Sequence, residues 1–73
     1  MNKLKKLRTD RELKQIELAK EIGVTKQTMS CYELGTIKPP LDKAKKLADF
    51  FNCSIEDIFF NNWGYLKYDF KYK

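Results

Sequence analysis

The stretch GVTKQTMSCYELG, residues 23–35, gathers an ammonium, an amide, a hydroxyl and a thiol on Lys26, Gln27, Ser30 and Cys31. These groups do not compose a catalytic centre. No base stands beside the hydroxyl or the thiol, and the chain contains no histidine to supply one. What the set can do is hydrogen-bond to a surface. A glutamine amide can bond adenine bidentately, and a lysine can donate to the acceptors of guanine. If the stretch is helical, a step of about 100° per residue puts Gln27, Ser30, Cys31 and Leu34 on one side. Lys26 falls at the boundary. Thr28, Met29, Tyr32 and Glu33 fall opposite, and Met29 and Tyr32 are the bulky apolar residues that fit a core. The outward side is then a short, polar ridge of the width that enters the major groove of B-DNA.

Such a ridge needs a scaffold, and the apolar spacing supplies one. Leu4 and Leu7, three apart among lysines, predict an amphipathic first helix over about residues 2–10. Leu18, Ala19 and Ile22 share a face of a second helix, from about Gln15 to Ile22. Gly23 stops it, since glycine suits the left-handed conformation past a helix end. Val24 is expected to be buried, and Thr25 is a good N-cap for a third helix over about Lys26 to Leu34, ended by Gly35. Pro39 and Pro40 break the chain and preset the next helix. Leu41, Ala44, Leu47, Ala48 and Phe51 predict that fourth helix over about 41–51. Ser54 with Asp57 predicts a capped fifth over about 55–60, with Ile55, Ile58 and Phe59 inward. Two short helices joined by Gly-Val-Thr make a helix-turn-helix. Gln15 opens the first of the two, where its amide and the free backbone N–H groups would face an anion.

Composition narrows the classes. Seventy-three residues make one domain, and 42% hydrophobic residues are too many for a disordered tail. Fifteen basic against ten acidic residues give a net charge of +5, which fits either plain solubility or an anionic partner. No run approaches the ~18 apolar residues of a membrane span, and the basic N-terminal stretch lacks the apolar segment of a signal peptide. Cys31 and Cys53 lack metal-ligand spacing and, without a secretory signal, are read as reduced thiols in a cytoplasm; nucleoid association is expected only if the anionic partner is DNA. Cys53 reads as core filling, and nothing near Cys31 marks it as a redox sensor. No metal and no cofactor is expected. The lysines of the first and fourth helices, Lys3, Lys5, Lys6, Lys43, Lys45 and Lys46, read first as a solvated face.

The segment LKQIELAKEIGVTKQTMSCYELG, followed by Lys38-Pro39, resembles the Cro/phage-repressor or XRE-type helix-turn-helix regulators, over about residues 3–60. The positions that match are Gln15, Leu18, Ala19, Gly23, Val24, Thr25, Gln27, Glu33, Gly35, Lys38 and Pro39. The resemblance implies an all-α, five-helix lambda-repressor-like DNA-binding fold of prokaryotic or phage origin, its third helix in the major groove. It implies bases facing Lys26, Gln27 and Cys31, with Thr28 and Ser30 on bases or phosphates, and phosphates held by Gln15, Thr25 and Lys38. It also implies an ion pair between Arg8 and Glu33. Lys14 departs from the usual Ser or Thr cap, so a weak start to the second helix is expected. Leu34 departs from a frequent Asn, and Cys31 from a frequent Arg or Gln, which leaves a thymine methyl as its natural contact.

The organisation expected is a DNA-binding domain at 1–60, with the motif at about 15–34, and an extension at 61–73. In YLKYDFKYK the residues alternate, which predicts a short strand-like tail with one apolar face. Trp63, Leu66, Tyr68, Phe70 and Tyr72 are of the type that anchors an interface, and a homodimer interface is the leading expectation, with a tail folded back as a hairpin on its own domain left open. The leading function is a sequence-specific transcriptional repressor, not an enzyme, that binds double-stranded DNA as a homodimer on a palindromic operator. An antitoxin-like protein-interaction module using the aromatic tail stays open beside it.

Overall fold

Two glycines and an asparagine set the stops of this fold, because each sits in the left-handed backbone region at the end of a helix. Gly23 has φ +86°, Gly35 +82° and Asn52 +57°. The computed structural model describes residues 2–59. Within them five helices follow in order: α1 (Leu4–Asp10), α2 (Gln15–Ile22), α3 (Lys26–Leu34), α4 (Leu41–Phe51) and α5 (Ile55–Phe59). There is no strand among the described residues. The predicted strand-like tail, and residue 60 of the predicted fifth helix, lie outside the described residues. So do Trp63, Leu66, Tyr68, Phe70 and Tyr72.

The helices close over a single apolar core. Leu4 from α1, Leu18, Ala19 and Ile22 from α2, and Met29 and Tyr32 from α3 are buried. Ala44, Leu47, Ala48 and Phe51 from α4 and Ile55, Ile58 and Phe59 from α5 complete it. Each large side chain so enclosed contributes about 1.5–3 kcal/mol. Val24 and Cys53 are half-buried against this core, so the expected burial of each is only partial. Burial first, then the Asp57 carboxylate, pushes the Cys53 thiol up, with Arg11 opposing, which keeps it protonated and unreactive.

The starts of the helices show where local chemistry decides. α1 begins at Leu4 rather than residue 2, because the Asn2 side chain lies ahead of the helix and its Oδ1 accepts from Leu4 N–H at 2.9 Å. α2 begins without a side-chain cap, as Lys14 implies, since an ammonium has no lone pair to offer. Glu17 compensates: its carboxylate accepts from the Lys14 backbone N–H at 2.7 Å and sits at the positive end of the helix. α3 is capped as expected, Thr25 Oγ1 accepting from Thr28 N–H at 3.0 Å. The Ser54–Asp57 pair is reciprocal, Ser54 N–H donating to Asp57 Oδ2 at 3.0 Å and Asp57 N–H to Ser54 Oγ at 3.1 Å. At the far end of α4, Arg11 donates to the carbonyls of Phe50 and Phe51 at 3.1 and 3.3 Å. Its guanidinium lies 5.0 Å from the Phe51 ring centre, so one cation serves a helix terminus and an aromatic face together.

Candidate nucleic-acid interface

α3 is held in place by a polar cluster behind it. Arg8 on α1 donates from Nε to Glu33 Oε2 at 2.6 Å and from Nη2 to Glu33 Oε1 at 3.2 Å, a two-pronged contact. Its remaining arm, Nη1, donates to the Leu13 carbonyl at 2.7 Å in the link to α2. Gln15, the first residue of α2, donates from Nε2 to Glu33 Oε1 at 3.0 Å. The two charged side chains are 10% and 3% exposed. No buried side-chain polar atom among the described residues lacks a partner. The cluster therefore ties α1, the α1–α2 link, the start of α2 and the end of α3 to one carboxylate. Asn2 adds a second tie, its Nδ2 donating to the Tyr32 carbonyl at 2.9 Å. Lys3 adds a third, its N–H donating to the Ile58 carbonyl at 2.9 Å on α5.

In front of α3 the chemistry reverses. Lys26 and Gln27 are exposed, Ser30 and Cys31 half-exposed, and their side chains make no hydrogen bond or ion pair among the described residues. Leu34, two turns beyond Gln27 on the same side, is 66% exposed. Met29, Tyr32 and Glu33 are buried on the opposite side. Burial first, then the Asp42 carboxylate, pushes the Tyr32 phenol up, so it stays neutral behind the ridge. Thr28 lies at the edge, half-buried, and its hydroxyl accepts from Thr25 Oγ1 at 2.9 Å.

The remaining expected anion contacts are spread around this ridge. Thr25 is exposed at the start of α3, and Lys38 is exposed in the loop before α4. Gln15 has the partner that spacing alone could not show, for its amide leans on Glu33. That bond uses one of the two N–H groups on Nε2, and the amide oxygen accepts no hydrogen bond among the described residues. Lys43 was read as solvated, yet it is half-buried and its Nζ donates to the Ile22 carbonyl at 3.4 Å, a cation at the C-terminal end of α2. The residues that sequence reasoning missed are Asn2 and Arg11. Both act across long stretches of chain, and neither belongs to a periodic pattern.

No grouping of three or more potential metal ligands occurs among the described residues, and no described helix is long and apolar enough to cross a membrane. The helix-turn-helix family model matches residues 4–58, which takes in α1 to α4 and all of α5 but its last residue. An uncharacterised HTH-type transcriptional regulator of Methanocaldococcus jannaschii is 48% identical over 58 residues, 80% of this chain and 88% of that protein. The cryptic phage CTXphi transcriptional repressor RstR of Vibrio cholerae is 42% identical over 57 residues, 78% of this chain and 51% of the repressor, about half its length. The Bacillus subtilis HTH-type regulator YgzD is 38% identical over 58 residues, with 80% and 88% of the two chains covered.

Proposed function

The chain belongs to the Cro/C1-type helix-turn-helix family of DNA-binding transcriptional regulators, and from that premise we propose that it is a repressor acting as a homodimer on a palindromic operator. Family membership makes it a regulator of transcription rather than an enzyme. The finer reading is that α3 of each subunit lies in a major groove and that an occupied operator excludes polymerase. Its support is one observation above all. The outer side chains of Lys26, Gln27, Ser30 and Cys31 are polar and unpartnered among the described residues, while the rest of α3 is fastened by Glu33 and a capping threonine. Groups so placed lose no internal bond on meeting a duplex.

In this reading Lys26 donates to guanine acceptors and Gln27 pairs with adenine, while Cys31 meets a thymine methyl. Thr28 and Ser30 touch bases or the nearby backbone. Gln15, Thr25 and Lys38 hold phosphates. Gln15 does so with the second N–H of an amide that Glu33 has already oriented. Repression as the outcome is supported by the Vibrio cholerae relative, a phage transcriptional repressor. The dimer is built through the segment 61–73, by Trp63, Leu66, Tyr68, Phe70 and Tyr72, and its twofold places half-sites about 34–36 Å apart.

Selection of binding sites from random duplexes tests the assignment. Lys26→Ala and Gln27→Ala should each erase preference at a distinct position, a discrimination of about 1–3 kcal/mol per bidentate contact. Selected sequences identical to those of the unaltered protein would refute the reading face.

A further inference from the structure

The flank of α3 carries a cleft of about 300 Å³, lined by Asn2, Lys5, Gln15, Ser30, Glu33 and Leu34. We infer that Lys5 is a DNA-binding residue, which with Gln15 and Ser30 seats one phosphodiester of the duplex in this cleft. The inference rests on the proposal that α3 occupies the major groove.

Charge is the first argument. Glu33 is the one acidic residue in the lining, and its charge is spent: both carboxylate oxygens accept from Arg8, and one also from Gln15. That leaves Lys5 as the uncompensated charge of the lining. Lys5 is exposed and makes no ion pair among the described residues, whereas its neighbour Lys6 is held by Asp10 at 3.3 Å. The donors are the second argument. Gln15 keeps one N–H of Nε2, and the Ser30 hydroxyl has no hydrogen bond among the described residues. Asn2 is committed on both sides of its amide, to the Tyr32 carbonyl and to Leu4 N–H, and so forms a wall. An ammonium, an amide N–H and a hydroxyl around an open cleft match an oxyanion with several acceptor oxygens.

Position is the third argument. Ser30 and Leu34 belong both to the cleft and to the outer side of α3. A helix about 10–12 Å across fills a groove about 12 Å wide, so its flanks must run against the sugar-phosphate strands. A cleft on that flank lies where a phosphate passes, and the exposed Leu34 gives an apolar wall for the neighbouring deoxyribose.

The test compares Lys5→Gln with Lys6→Gln, which removes the same charge from the same helix outside the cleft. Affinity for the selected operator is measured from about 50 to 200 mM salt, where each neutralised phosphate contributes a slope of about −0.9. Both subunits of the dimer carry the change, so Lys5→Gln should flatten the slope by about 1.8, and its deficit against the unaltered protein shrinks about 12-fold over the range. The selected sequence should stay the same, Lys5→Arg should restore the slope, and Lys6→Gln should keep it. A scan with single neutral methylphosphonates should find one backbone position per half-site that weakens the unaltered protein markedly more than it weakens Lys5→Gln. Equal slopes for Lys5→Gln and Lys6→Gln, or no such position in the scan, overturn the assignment. Should Lys26→Ala and Gln27→Ala change the selected sequence while Lys5→Gln behaves like Lys6→Gln, the phosphate seat alone fails. Should none of them matter, the reading of α3 fails with it.

Discussion

On the inner side of α3, Glu33 accepts three hydrogen bonds from two side chains and is closed off from solvent. On the outer side, the side chains of Lys26, Gln27, Ser30 and Cys31 accept and donate none within the described residues. Both sets are polar, both lie on the same nine-residue helix, and residue type alone would not sort them. The difference is in what each loses when altered. A buried carboxylate is already desolvated, and it is tolerable only while its partners stay. A solvated amide or ammonium has water now and exchanges it for a base edge later, so the fold does not depend on it.

Removing the inner group should therefore give the largest effect on stability. Arg8 without its partner is an uncompensated buried cation, and Glu33→Ala should cost about 3–5 kcal/mol, read from urea or thermal unfolding. A loss under 1 kcal/mol would erase the distinction between the two sides. Thr25 sits at the joint between them. Thr25→Ala leaves Thr28 N–H without its acceptor and should cost about 1 kcal/mol of stability, with weaker DNA binding beside it. Lys26→Ala and Gln27→Ala, which should redirect site selection, ought to leave unfolding within about 0.5 kcal/mol of the unaltered protein.

The smallest expected effect is a titration. The Ser54 backbone N–H, then its hydroxyl, hold the Asp57 carboxyl below its ordinary value, and Lys3 lowers it further. A carboxylate whose folded pKa is depressed stabilises the native state above the unfolded pKa. That support fades as pH falls through the lowered value. Carbon-detected NMR of Asp57 should show the lowered midpoint, and Ser54→Ala should bring it part of the way back up. A midpoint at the ordinary aspartate value would remove this cap from the account of α5.

The sequence was most readable where a single residue changes the backbone. Gly23, Gly35, Pro40 and Asn52 bracket α2, α3 and α4, and the predicted ranges of these three helices agree with the observed ones. α1 was less readable, because its start depends on an Asn2 side chain that turns back onto Leu4 and also reaches Tyr32, thirty positions away. Helical periodicity separated the faces of α3 correctly, since burial follows from 3.6 residues per turn. It could not report that Gln15 leans on Glu33 across eighteen positions, nor that Arg11 closes the end of α4. Those contacts exist only once the helices have packed, and a lone polar residue carries no period to announce them.

Gly23 has a further consequence. Its backbone lies at φ +86°, yet a Cβ built there would approach nothing closer than the Lys43 Nζ at 3.6 Å, an ordinary contact. The turn thus turns away an L side chain by handedness and not by crowding. A mirror-image residue such as D-alanine would take that angle willingly and surrender less freedom than glycine does. The angle between α2 and α3 is thus guarded by chirality at one achiral residue, a lock that only chemical synthesis could tighten.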